Sequence, residues 1–188
     1  MLIFGVTIAI IVGLGIWCLA RVRREYRRKQ TLSTLSVTGV WVLYLVHLGT
    51  TVAASALSVW SIPLAPAVSW GAGILLIGLG AIICGMGIWS FHSFKKMSGW
   101  ETTKLVTTGI YRWSRNPQNV GWALFLLGVT ILGRSGLALL LTVLFWGLFV
   151  FYVPLEEQYL EDVFGEEYRE YKRWSHPYFG APRKPSQG

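Results

Sequence analysis

The chain has 188 residues, 53% of them hydrophobic and only 14% charged, with a mean hydropathy of +0.50. That balance excludes an ordinary soluble domain and points to a membrane protein of one compact unit. The net charge of +8 requires no nucleic-acid partner once the basic residues are located. Cys18 and Cys84 lie in apolar runs without disulfide or metal-ligand spacing, so they read as packing residues.

The first apolar run, Leu2 to Ala20, is followed by the basic cluster RVRREYRRKQ. A cleavable signal peptide has the reverse order, so the run reads as a retained helix with its N-terminus outside. A second run extends from about Thr38 to Trp60 and a third from about Val68 to Phe91, separated by the proline-containing turn SIPLAP. Each exceeds the roughly 20 residues needed to cross the hydrocarbon core. The run Val120 to Leu132 is shorter; GRSG then makes a turn before Leu137 to Val153. These last two predict a tight helical hairpin, giving an all-α integral membrane protein of about five transmembrane helices.

Lysine and arginine set the orientation. Arg21, Arg23, Arg24, Arg27, Arg28 and Lys29 fall in the first loop. Lys95, Lys96, Lys104, Arg112 and Arg115 fall in the third, and Arg169, Lys172, Arg173, Arg183 and Lys184 in the tail. Only Arg134 remains for the other face. The C-terminus is therefore expected to be cytoplasmic, with the excess charge directed at anionic headgroups.

Within the third run, Gly71, Gly73, Gly78, Gly80, Gly85 and Gly87 favour close helix packing over phosphate binding, because a nucleotide-binding glycine loop needs a strand before it. His47 and His92 are isolated, and no cluster stands at metal spacing, so no metal is assigned. Seven of the nine acidic residues fall in EEQYLEDVFGEEYREYKRW. There Leu160, Phe164, Tyr168 and Tyr171 form a helical stripe, predicting an amphipathic helix along the cytoplasmic interface. Glu156 and Glu157 come directly after the fifth run, at the membrane edge, where a carboxylate needs a cationic partner. Arg112, Arg115 and a cationic ligand are equal candidates.

The segment GIYRWSRNPQNVGW sets two arginines and an Asn-Pro step against an apolar run, although arginine in hydrocarbon costs roughly 2.5–3.5 kcal/mol. The Thr- and Gly-rich segment before it reads as an ordered cytoplasmic loop with backbone groups available to a ligand. An interfacial anchor built on Trp113 and Trp122 does not account for the Asn-Pro.

KLVTTGIYRWSRNPQNVGW, followed one hairpin later by EEQYLEDVFGEEYREYK, resembles the isoprenylcysteine carboxyl methyltransferase family and the related membrane phospholipid methyltransferases. The resemblance covers roughly Trp100 to Trp174. It implies a cytoplasmic site for S-adenosyl-L-methionine, formed by Leu105, Val106, Tyr111, Asn116, Pro117, Glu156 and Glu157, and a lipophilic substrate entering from the bilayer. Arg115, Asn119 and Tyr152 are the expected substrate contacts. Asn119 stands where relatives often carry a tyrosine, leaving Trp113 or Trp122 to supply the stacking. Tyr152 stands where the prenylcysteine enzymes place an arginine that holds the substrate carboxylate. The acceptor is then a lipid amine, an isoprenoid or lipid acid, or a hydrophobic thiol, methylated by in-line displacement that rests on positioning. The implied organisation is one membrane domain. Three spans occupy 1–93, a cytoplasmic cofactor loop 94–119, the hairpin 120–155, and an amphipathic helix and tail 156–188. A membrane reductase using NADPH and a non-catalytic scaffold are the competing readings. The sequence leaves oligomeric state open.

Overall fold

The computed structural model describes residues 1–28, 31–91 and 104–183. Lys29, His92, Lys95, Lys96, Lys184 and residues 94–103 of the expected loop lie outside the described residues. The described helices are α1 (Leu2–Arg27), α2 (Thr34–Ala56), α3 (Pro66–Trp89), α4 (Pro117–Leu132), α5 (Gly136–Phe164) and α6 (Glu166–Trp174), with a 3₁₀ turn at Gly109–Arg112. Four of them, α1, α2, α3 and α5, are long and apolar enough to cross a membrane, and α4 is a shorter apolar helix. The protein is an all-α multi-pass membrane protein.

Helix α4 joins α5 as a hairpin, yet its most extensive packing is against α3. The reason is a seam of glycines. Gly73, Gly80 and Gly87 recur every seven residues, which keeps them on one face of α3. A methyl group at Gly80 would sit 2.5 Å from the Gly121 carbonyl oxygen, and one at Gly73 3.1 Å from that of Gly128. Gly128 in turn faces the Ile77 backbone nitrogen. Gly71, Gly78 and Gly85 meet nothing within 4 Å. Only half of the six glycines therefore serve the close approach expected of small residues in membrane helices. Gly80→Ala should cost about 1–3 kcal/mol by overpacking and lower the unfolding midpoint in detergent. Gly78→Ala should leave that midpoint where it is; equal shifts would remove the seam.

The turn around Ser61 and the turn at Ser135 meet at the end opposite the glutamates. The Ile62 N–H donates to the Arg134 carbonyl at 2.7 Å and the Gly136 N–H to the Trp60 carbonyl at 3.0 Å. The Ser135 hydroxyl donates to the Val59 carbonyl at 2.8 Å and accepts from the Ala138 N–H. At this end Ile11, Ala54, Leu137, Ala138 and Leu141 form a sealed core. At the glutamate end Val22, Tyr26, Val37 and Tyr159 form a second.

The expected break after residue 155 is absent. Helix α5 continues through Pro154 to Phe164, because one missing N–H is tolerated and the following turns bury Tyr159. The Tyr159 ring stacks on Tyr26 at 4.3 Å and 10°. The helix stops instead at Gly165, whose φ of +57° suits glycine alone without strain. The predicted stripe survives this break: Leu160, Phe164, Tyr168 and Tyr171 close together around Leu105.

Candidate functional site

Between the two cores lies a cavity of about 400 Å³ bounded by α1, α2, α4, α5, the end of α3 and the loop before α4. Nine of the ten residues singled out in the sequence line it: Leu105, Val106, Tyr111, Arg115, Asn116, Asn119, Tyr152, Glu156 and Glu157. Pro117 does not. It starts α4, where its missing N–H costs nothing, and packs against Gly87.

The two glutamates have different surroundings. The Glu157 carboxylate takes a 2.8 Å hydrogen bond from Arg115 Nε, with side chains only 15% and 8% exposed, and lies 3.6 Å from Lys172 Nζ. Glu156, one residue earlier and so turned by about 100° around the helix, lines the cavity one helical turn from Tyr152. Among the described residues no ion pair reaches it. Arg115 was expected to contact substrate. It lines the cavity, with its guanidinium held by Glu157 and by the Ser175 carbonyl at 2.7 Å.

Tyr152, in turn, lies 3.4 Å from the Tyr26 hydroxyl. This puts an uncharged chain of hydroxyls where the resemblance places an arginine. Tyr111 is buried at the glutamate end, its ring edge-on to Phe91 at 5.5 Å. Its carbonyl accepts a 2.7 Å bond from the Tyr171 hydroxyl. Burial first, and the nearby Glu156 charge second, push the Tyr111 phenol well above the usual range. Burial likewise raises Tyr171, so both remain neutral hydroxyls.

Asn116 lines the cavity and donates a side-chain N–H to the Pro177 carbonyl at 3.0 Å. Asn119 accepts a 2.8 Å bond from the Tyr44 hydroxyl. The aromatic that the chain lacks at position 119 is thus delivered from α2, and Tyr44 also lies 5.6 Å from the Trp122 ring. Trp122 lines the cavity, whereas Trp113 is 45% exposed and stacks on Phe179 outside it. Tyr26, Tyr44 and Gln118 are cavity residues that sequence reasoning missed. The available signal was WVLYLVHLG, which puts a tyrosine and a histidine one helical turn apart inside an apolar run. Gln118 also carries a buried side-chain N–H without a hydrogen-bond partner among the described residues.

A model of the phospholipid methyltransferase family matches residues 68–167. The chain is 34% identical over 84 residues to a protein-S-isoprenylcysteine O-methyltransferase of Saccharomyces cerevisiae, covering 44% of this chain and 35% of that one. It is 34% identical over 83 residues to protein-S-isoprenylcysteine O-methyltransferase B of Arabidopsis thaliana, covering 44% and 42%. The corresponding human protein is 40% identical over 76 residues, covering 39% and 26%. The chain thus spans less than half the length of these curated relatives. No solved structure matches it.

Proposed function

This chain belongs to the phospholipid methyltransferase family, and from that premise we propose that it transfers a methyl group from S-adenosyl-L-methionine to a lipophilic acceptor. The observation that carries the proposal is Glu156. It is a carboxylate in the wall of an aromatic cavity, one helical turn from Tyr152 and without an ion pair among the described residues. Buried carboxylates need a cation or several donors, and the cofactor offers both through its sulfonium, its ammonium and its ribose hydroxyls.

The remaining wall also fits. The Gln118 side-chain N–H, unpartnered among the described residues, and the Asn116 side-chain oxygen offer a donor and an acceptor to the cofactor's polar groups. Tyr111 offers an aromatic ring to a cation or to adenine. Leu105 and Val106 close the cytoplasmic side. When bound, the cofactor supplies an electrophilic methyl group on a positively charged sulfur. The protein's part is to hold that methyl in line with the acceptor and to keep water out, and orientation of this kind accounts for much of such an acceleration. With Arg115 committed to Glu157, the cavity favours an amine or a thiol over a carboxylate acceptor. The concentration of arginine and lysine at the Glu156 end supports a cytoplasmic site and an external N-terminus.

Calorimetric titration of the detergent-solubilised protein with S-adenosylhomocysteine and, in parallel, with NADPH tests the proposal. Saturable binding of the first and none of the second is expected. Binding of NADPH alone would overturn it in favour of a reductase, and binding of neither would favour a scaffold.

A further inference from the structure

The cavity continues past the cofactor end into the membrane-spanning part of the bundle. Glu156 and Phe145 both line it and are eleven residues apart on α5, about 16 Å at 1.5 Å per residue. The deep lobe is mainly apolar, with Gly15, Leu48, Leu148 and Phe149 in its walls. His47 is the exception. It lines the cavity from α2, is only 2% exposed, and has its ring 5.7 Å from Phe145.

The hydrogen bonding of His47 fixes what it offers. Its Nε2 lies 2.8 Å from the Leu141 carbonyl oxygen. A carbonyl only accepts, so Nε2 carries the proton and Nδ1 presents a lone pair. Nδ1 is buried and has no hydrogen-bond partner among the described residues. The indole N–H of Trp122, from the α4 wall of the same lobe, is buried without a partner as well. Tyr44 packs between these walls, 5.6 Å from the Trp122 ring and 5.7 Å from the Phe145 ring. Buried polar atoms are rarely left unpaired in folded proteins, and here an acceptor and a donor are left unpaired around one apolar lobe.

We propose that the deep lobe recognises a hydroxyl group on the lipophilic tail of the ligand, with His47 Nδ1 accepting the hydroxyl hydrogen and the Trp122 N–H available to its oxygen. A hydroxyl both donates and accepts, so it answers both atoms. A plain alkyl tail answers neither, and a carboxylate brings no proton to His47. The proposal rests on reading the cavity as the site of a lipophilic ligand.

The test compares (12-hydroxydodecyl)trimethylammonium with dodecyltrimethylammonium on the full chain in detergent. The two share a cationic head suited to the Glu156 end and differ only in the hydroxyl at the far end of the tail. The hydroxylated ligand should bind about tenfold more tightly, the scale of one added buried hydrogen bond. In protein labelled with ¹⁵N-histidine, the His47 Nδ1 resonance, assigned by its loss in His47→Phe, should shift with the hydroxylated ligand and not with the plain-tailed one. His47→Phe should erase the preference, and Trp122→Phe should reduce it. Equal binding of both ligands by the wild type, with an unmoved Nδ1 resonance, overturns the proposal and leaves a buried water as the partner of His47. S-adenosylhomocysteine binding on the same samples tests the methyltransferase reading separately. Retained binding without a preference for the hydroxylated tail removes the hydroxyl site alone.

Discussion

Glu156→Gln should weaken binding of S-adenosylhomocysteine by roughly 10–100-fold. The size follows from the chemistry of the contact: hydrogen bonds to a charged group contribute about 1.5–3 kcal/mol, and each 1.4 kcal/mol is about tenfold in affinity. Glutamine keeps the shape and one acceptor oxygen while removing the charge, so cavity volume is not the variable. Tyr152→Phe, which removes a hydroxyl one helical turn from Glu156, should cost only several-fold. Glu166→Ala is the control. Glu166 sits on the exposed side of α6 with Arg169 and Arg173, where ion pairs contribute little, and titration of that variant should match the wild type. Equal losses in Glu156→Gln and Glu166→Ala would mean that the cofactor does not meet Glu156.

Why Glu156 and not Glu157 carries this expectation was illegible in the sequence. Adjacent residues on a helix point in directions about 100° apart, and which direction meets the cavity depends on how α5 rotates against α1 and α4. Run lengths and turn residues were enough to locate the helices. The six glycines were enough to mark α3 as a packing helix, but only its contact with α4 separates Gly73, Gly80 and Gly87 from the other three. Hydropathy could not show that α5 runs on past Pro154, since the turns beyond it are polar. They stay helical because Tyr159 buries against Tyr26, a contact over 100 residues away in sequence.

The same limit explains the site. Leu105, Tyr111 and Asn116 were legible because a contiguous motif carries them. Tyr44, Tyr26 and His47 come from helices without a motif, and only the packing of α2 against α4 and α5 brings them to the cavity. Asn119 shows the consequence. Alone it reads as a lost aromatic, yet with the Tyr44 hydroxyl 2.8 Å from its side-chain oxygen it reads as half of a pair split between two helices.

Arg115→Ala should destabilise the protein by about 3–5 kcal/mol, the range for removing one partner of a buried ion pair. The guanidinium does two things at once. Its Nε neutralises Glu157, and its NH1 donates to the Ser175 carbonyl. Around it the C-terminal segment is stitched to the loop before α4. The Arg115 N–H donates to the His176 carbonyl at 2.8 Å and the Gly180 N–H to the Trp113 carbonyl at 2.9 Å, while Asn116 Nδ2 reaches the Pro177 carbonyl. Without the arginine, Glu157 keeps only the more distant Lys172, and the Ser175 carbonyl loses its closest donor. Arg115→Lys should recover only part of the loss, because one ammonium cannot reproduce a planar fork with separate partners. Arg115→Ala combined with Glu157→Gln should recover more, since the stranded charge is gone, and the difference between the double variant and the sum of the singles measures the coupling. Thermal unfolding in detergent, followed by proteolysis at the C-terminal basic residues, checks both expectations. An unchanged unfolding midpoint in Arg115→Ala together with lost ligand binding would return Arg115 to the substrate site, where the motif alone had put it.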